Sequence, residues 1–256
     1  MTVIARGRLD GLRWTDHEVL WRASENLYDN SRRHFGCRLV FDDDGHLFFG
    51  IGDRGTRPTA QDLGDPRGAI HRIRLDGSIP ADNPFRGHDD AVPSLWSIGH
   101  RNPQGLARNP ETGQLWENEH GPRGGDELNL VVPGANYGWP DATYGMHYSG
   151  VPMTARTEAP EYVSPVTQWT PSIAVCGMAL LTGDAFPAWR GDLFIASLKF
   201  GQLHRVRVDT DGQFVEEEVL LNNLERVRHV AEHPDGSLYL LLERPGRIVR
   251  LEPMPG

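Results

Sequence analysis

Short apolar runs separated by turn residues recur along the whole chain. Residues 38–41 form one such run, the acidic turn 42–45 follows it, and a second apolar run covers residues 46–51. Runs of this length, bounded by Asp and Gly, are typical of antiparallel strands joined by tight turns. The pattern therefore predicts a strand–turn–strand unit at this point.

The same unit recurs three more times, with its turn glycine at Gly113, Gly191 and Gly236. Further strands are predicted at residues 3–9, 69–75, 128–132, 202–208 and 247–251. A unit of about 45 residues with loop insertions is the period of a four-stranded propeller blade. No long apolar stripe of helical period appears, so helices should be short or absent. The pattern predicts an all-β fold, a β-propeller, with four recognisable blades and a leading strand.

The composition agrees with a single folded all-β domain over residues 1–256. Hydrophobic residues make up 38% of the chain, and 29 glycines and 19 prolines suit many short strands joined by turns. The formal net charge of −9 argues against a nucleic-acid partner. No apolar stretch approaches the ~20 residues of a membrane-spanning helix, and no signal peptide is visible. Cys37 and Cys176 lack zinc-site spacing.

One loop, residues 119–127, has the composition of a cation site. Gly121 and Pro122 let backbone carbonyls point in one direction, and carboxylates lie on both sides of them. A hard cation such as Ca²⁺ prefers these oxygen ligands. The loop lacks EF-hand spacing, and a glycine-rich surface turn is the alternative interpretation.

Three basic residues form a candidate anion pocket. Lys199 is the only lysine of the chain, and Arg226 and Arg228 are two residues apart, which directs both to one face of a strand. Cations converging from neighbouring blades would hold a polycarboxylate or a phosphate. The alternative is pairing with the chain's many carboxylates.

Two more positions are candidates for catalysis. His34 directly precedes a strand, and its neutral-range pKa suits a general base, although a lone histidine is more often structural. Arg101 and Asn102 stand together at a blade entrance, where they would either orient a polar ligand or pair with a neighbouring blade.

These motifs together resemble a known family. In order they are HFGCRLVF at 34–41, GDRG at 52–55, RPTAQDL at 57–63, LDGSIPADNPF at 75–85, GHRNPQGL at 99–106, NEHGPRGGDE at 118–127, NYGWP at 136–140 and RVR at 226–228. The chain resembles the soluble pyrroloquinoline-quinone-dependent aldose sugar dehydrogenases of the glucose/sorbosone dehydrogenase superfamily, which are six-bladed propellers. The resemblance implies that about four to five blades are present here and that an N-terminal blade region, with a quinone-contacting glutamine, is absent.

The resemblance implies an enzyme that oxidises aldoses at C1 to the lactone. His34 is implied as the general base, with hydride passing to the quinone. The implied quinone contacts are Arg101, Asn102 and His120 at its oxygens and Lys199, Arg226 and Arg228 at its carboxylates, with Ser172 assisting and Trp169 packing nearby. The carbonyls of Gly121 and Pro122 are implied as ligands of a catalytic Ca²⁺. Glu127 and the Tyr137 carbonyl are implied as ligands of a second Ca²⁺.

The resemblance also implies an aldose substrate, an external electron acceptor, a periplasmic or secreted location and a monomer or homodimer. Two other functions stay open at this point. One is a Ca²⁺-dependent propeller hydrolase of the lactonase type, for which the basic trio would be surplus. The other is a propeller that binds partners through its loops without catalysis.

Overall fold

Antiparallel strands make up nearly all regular structure in the computed structural model, which describes residues 1–254. The strands are β1 Val3–Asp10, β2 Arg13–Arg22, β3 Gly36–Phe41, β4 His46–Ile51, β5 Ala69–Arg74, β6 Leu95–Ile98, β7 Pro103–Arg108, β8 Leu115–Glu119, β9 Asp126–Val131, β10 Thr167–Trp169, β11 Val175–Leu180, β12 Leu193–Ser197, β13 Gln202–Val208, β14 Phe214–Leu221, β15 Arg226–Glu232, β16 Leu238–Glu243 and β17 Arg247–Leu251. Helical structure within residues 1–254 consists of 3-10 turns at Glu25–Leu27, Arg57–Gln61 and Pro187–Trp189. No helix in that part of the chain is both long and apolar enough to cross a membrane.

Sequence-consecutive strands pair into meander sheets. Strands β3 to β6, β7 to β10 and β11 to β14 form four-stranded sheets, β15 to β17 form a three-stranded sheet, and β1 and β2 form a hairpin. The first strands of successive sheets lie beside each other, β3 against β7, β7 against β11 and β11 against β15. Sheets that pack in sequence about their first strands are the architecture of a β-propeller, which confirms the predicted fold class.

The hydrophobic core is divided among the interfaces between successive sheets. Phe49 packs between the hairpin and the sheet β3–β6, and Phe48 packs between that sheet and the next. Trp116 belongs to the following interface, and Leu240 to the last. Each central sheet is therefore covered on both faces. This explains why strand β4 is a continuous apolar run and not an alternating one.

The sequence pattern missed the outermost strands. Strands β6, β10 and β14 were not predicted, and neither was β2, so the leading segment is a hairpin and not one strand. Strand β14 shows the cause, because residues 216–218 are three consecutive glutamates and the strand is largely exposed. An exposed rim strand such as β14 buries little of either face, so its sequence carries no clear apolar alternation. Strands β6 and β10 are more buried, but they have only four and three residues, which is too short to display a period.

Candidate functional site

Loops at the ends of the first two four-stranded sheets enclose a cavity of about 460 Å³. Three predicted site residues, His34, Arg101 and Pro122, line it together. Asp53 and Trp139 also line it, and the sequence reasoning had given neither of them a role.

His34 is held by a buried carboxylate. Its Nδ1 lies 2.5 Å from Oδ1 of Asp53, which also accepts the backbone N–H of Gly55 at 2.7 Å. Trp139 Nε1 donates to the other oxygen, Oδ2, at 2.8 Å. Burial by itself raises the pKa of Asp53, but the hydrogen bonds and charge of His34 and the Gly55 N–H outweigh it and lower that pKa. Asp53 therefore remains ionised, keeps the proton of His34 on Nδ1, and leaves Nε2 as the acceptor nitrogen.

The backbone around His34 is unusual, and one glycine makes it possible. His34 has a φ of 46° and Cys37 a φ of 72°, in the left-handed region that side chains disfavour. A Cβ on Gly52 would lie 2.3 Å from the carbonyl oxygen of His34. Only glycine lets the end of β4 approach the His34 backbone so closely, and this approach fixes the position of the imidazole.

The loop at 119–122 presents carbonyl oxygens to a cation. Arg101 Nη1 donates to the carbonyls of His120 and Gly121, each at 2.8 Å. The loop is rigid, because the Gly121 N–H donates to Asp126 Oδ1 at 3.0 Å and a Cβ on Gly121 would lie 2.1 Å from the carbonyl oxygen of Gly125. A positive group thus already occupies the carbonyl predicted for Ca²⁺, so the donor set fits a cation.

The predicted anion pocket lies on the later sheets. Lys199 Nζ donates to the carbonyl of Ser172 at 3.1 Å, and Ser172 Oγ donates to Asp126 Oδ2 at 2.7 Å. Asp126 thereby connects this side of the site to the loop of Gly121.

Arg226 and Arg228 point to one face, as their spacing predicts, but Glu243 lies between them. Arg226 Nε donates to Glu243 Oε2 at 2.9 Å, and Arg228 Nε donates to Oε1 at 2.5 Å. Arg228 Nη1 also lies 3.4 Å from the sulfur of Cys176. In this structure the two arginines therefore pair with a protein carboxylate, which was the alternative to an anion pocket.

The remaining predicted quinone contacts are well anchored. His120 Nε2 bonds to the carbonyl of Val175 at 2.5 Å, and Asn102 Oδ1 accepts the Gly36 N–H at 3.2 Å. Trp169 lies in the core between the second and third four-stranded sheets, with its Nε1 donating to Glu217 at 2.8 Å. Trp169 does not line the cavity of His34.

A second oxygen-rich cluster lies beneath Arg101. Glu127 and Tyr137, predicted as a second Ca²⁺ site, line a small void together with Glu119. Burial and the charge of Glu119 raise the pKa of both Glu117 and Glu127 well above the ordinary range. His100 is close by, with its Nδ1 3.3 Å from Glu119. Because few positive groups offset these carboxylates, the cluster fits a proton or a bound cation.

Comparisons with known proteins identify the family of the chain. The sequence model of the Glucose / Sorbosone dehydrogenase family matches residues 1–250. The aldose sugar dehydrogenase of Escherichia coli K12 is 42% identical over 98% of this chain and 69% of its own length. A crystal structure of a glucose dehydrogenase has a TM-score of 0.93 at 43% identity, over 98% of this chain and 74% of that one. The pyrroloquinoline-quinone-bound aldose sugar dehydrogenase of Streptomyces coelicolor has a TM-score of 0.77 at 26% identity, covering 98% and 71%.

The meander sheets packed about their first strands, together with the similarity to aldose sugar and glucose dehydrogenases, place the chain among the propeller dehydrogenases of the quinoprotein type. The chain belongs to the glucose/sorbosone dehydrogenase family, as the motifs implied.

Proposed function

We propose that the protein oxidises aldoses at C1 to the lactone, with pyrroloquinoline quinone and Ca²⁺ as its cofactors. The observation that carries this proposal is one cavity lined by the His34–Asp53 dyad together with Arg101 and Pro122. The E. coli and S. coelicolor relatives are aldose sugar dehydrogenases, and the second was solved with pyrroloquinoline quinone bound, which supports quinone-dependent oxidation of an aldose.

The chain's own residues supply the acid–base part of this reaction. Nε2 of His34 takes the proton of the C1 hydroxyl, and Asp53 stabilises the imidazolium that forms. Quinone and Ca²⁺, when bound, supply the hydride acceptor and the Lewis acid. Removal of one proton from the hydroxyl oxygen and one hydride from C1 leaves the lactone carbonyl.

The cofactor contacts are assigned to the residues that the family resemblance implied. The carbonyls of Gly121 and Pro122 would hold the catalytic Ca²⁺, for which the Arg101 guanidinium would have to leave the Gly121 carbonyl. The quinone would be held by Arg101, Asn102 and His120 at its oxygens and by Lys199, Arg226 and Arg228 at its carboxylates, with Ser172 assisting and Trp169 nearby. Glu127 and the Tyr137 carbonyl would hold a second, structural Ca²⁺.

The proposal extends to the surroundings of the enzyme by analogy with its relatives. We place it in the periplasm or outside the cell, as a monomer or homodimer that passes electrons to an external acceptor.

Reconstitution tests the proposal directly. The purified chain is titrated with pyrroloquinoline quinone and Ca²⁺, bound-quinone absorbance is recorded, and sugar-dependent dye reduction is then measured. His34→Ala should keep quinone uptake and abolish turnover, whereas Lys199→Ala should weaken uptake. Normal turnover by both variants would contradict the assigned roles. Ca²⁺-dependent lactone hydrolysis without quinone would instead support the hydrolase alternative.

A further inference from the structure

Two arginines at the mouth of the cavity lack a carboxylate partner. Arg33 and Arg57 both line the cavity of His34, and among residues 1–254 neither forms an ion pair within 4.0 Å. The Arg57 guanidinium carbon lies 6.0 Å from the centre of the Trp139 ring. The Arg33 stem lies over the turn at Gly55, with Cδ 3.7 Å from where a Cβ on that residue would be.

The cavity is therefore strongly positive. Arg33, Arg57 and Arg101 line it, and the carboxylate among its lining residues is Asp53. Asp53 is fully engaged, because both of its oxygens already accept hydrogen bonds from His34, Gly55 and Trp139. A cleft with one sign of charge attracts ligands of the other sign, and guanidinium groups bind carboxylates and phosphates well.

The two arginines flank the dyad that would act on C1. Arg33 directly precedes His34, and Arg57 follows Asp53 by four residues, at the start of the 3-10 turn Arg57–Gln61. A sugar that presents its C1 hydroxyl to His34 therefore lies beside two cations that no protein carboxylate neutralises.

From this arrangement we infer that the cavity selects aldoses bearing an anionic group away from C1, such as a hexuronic acid or a sugar phosphate. Arg33 and Arg57 are the residues that recognise the anionic group. This inference rests on the proposed function and names the substrate class of that site.

The first experiment compares D-glucuronate with D-glucose, which differ only in a carboxylate or a CH₂OH at C6. Both are assayed with the reconstituted protein, alongside Arg33→Gln, Arg57→Gln and the double variant. The matched control is Arg32→Gln, an exposed neighbour that does not line the cavity. The ratio of kcat/KM for glucuronate over glucose should exceed one and fall about fivefold for each single variant, as expected for a charge-assisted pair with an exposed arginine.

Salt and a phosphate probe refine this result. Raising the ionic strength should lower the glucuronate preference of the unmodified protein and leave that of the double variant unchanged. Glucose 6-phosphate, assayed in the same way, distinguishes a site for carboxylates from one that accepts any anion at C6. Equal kcat/KM for glucose and for both anionic sugars in the unmodified protein would overturn the inference.

A binding measurement separates this inference from the proposed reaction. Trp139 lies at the cavity, so glucuronate binding to the quinone-free protein should change tryptophan fluorescence, with about fivefold weaker affinity in Arg57→Gln. Oxidation of glucose with no glucuronate preference would leave the proposed function standing and overturn the inference. Arginine-dependent glucuronate binding without any sugar oxidation would support the anion site and contradict the proposed function. Weaker quinone uptake in the double variant, with the substrate ratio unchanged at saturating quinone, would assign the arginines to the cofactor and overturn the inference.

Discussion

The two halves of the proposed site, a dyad half around His34 and an anion half around Arg226 and Arg228, are built in opposite ways. The dyad half, on the sheets β3–β6 and β7–β10, rests on a buried carboxylate, since Asp53 is 0% exposed and accepts hydrogen bonds on both oxygens. The anion half, on the later sheets, is open, and Arg226 and Arg228 are held by Glu243, whose side chain is 32% exposed. Under the proposed function, the dyad half would already be arranged for proton transfer without any ligand. The anion half would have to exchange the Glu243 carboxylate for a carboxylate of the quinone.

The largest expected effect comes from breaking the dyad with Asp53→Asn. Asp53 accepts hydrogen bonds on both oxygens, whereas an asparagine has one acceptor oxygen and must turn an NH₂ group toward a donor. We expect kcat to fall about 10³-fold, within the range for general-base catalysis, while quinone binding is kept. Steady-state kinetics and a quinone titration measure the two quantities separately.

Stability should respond to pH in a defined direction. The folded-state pKa of Asp53 lies below its ordinary value of 3.8, so its charge stabilises the native protein above that pH, and this stabilisation is lost as the pH falls further. The difference in Tm between the protein and Asp53→Asn should therefore shrink in acid. Asp43→Asn, at an exposed position, is the control and should change neither kcat nor the pH profile of Tm. An unchanged kcat in Asp53→Asn would mean that Asp53 does not assist His34 as the general base.

A smaller effect is expected from crowding the same half with Gly52→Ala. The new Cβ would lie 2.3 Å from the His34 carbonyl oxygen and 2.8 Å from its carbon, and neither backbone atom can rotate away. We expect a loss of about 1–3 kcal/mol in the free energy of unfolding, as for overpacking. Turnover should fall about 10²-fold, because displacing the base by about 1 Å is costly.

The control for this substitution is Gly64→Ala, whose Cβ would meet nothing nearer than 3.2 Å. Chemical denaturation and steady-state kinetics on both variants complete the comparison. If Gly52→Ala were as stable and active as Gly64→Ala, the dyad half would be more adaptable than its contacts indicate.

The sequence predicts those features of the molecule that are determined by residues adjacent in the chain. Inner strands of sheets that are covered on both faces, such as β4, show clear apolar runs. The glycine and proline content of the loop at Gly121 and Pro122 predicts that its backbone carbonyls point in one direction. Rim strands such as β14 were missed because exposure removes the pattern.

Asp53 was missed as a functional residue for a different reason. Its partners His34 and Trp139 are 19 and 86 residues away, so no spacing rule links them. The signal available in the sequence was an aspartate two residues after the apolar run 46–51. In the same way, the spacing of Arg226 and Arg228 predicts their shared face but cannot identify Glu243, which reaches them from the neighbouring strand β16.

The smallest expected effect comes from a substitution in the anion half, Glu243→Gln. Glu243 holds both arginines, and their hydrogen bonds, that of Arg226 first, keep its pKa below the ordinary value. A ligand carboxylate has to displace it, so removing its charge should tighten quinone binding about threefold to fivefold, as for an exposed ion pair. Glu225→Gln is the matched control, since Glu225 pairs with Arg247 of the same sheet and should leave the affinity unchanged. Weaker binding in Glu243→Gln would show that this carboxylate positions the arginines and does not compete with the ligand, and the anion half would then be as prearranged as the dyad half.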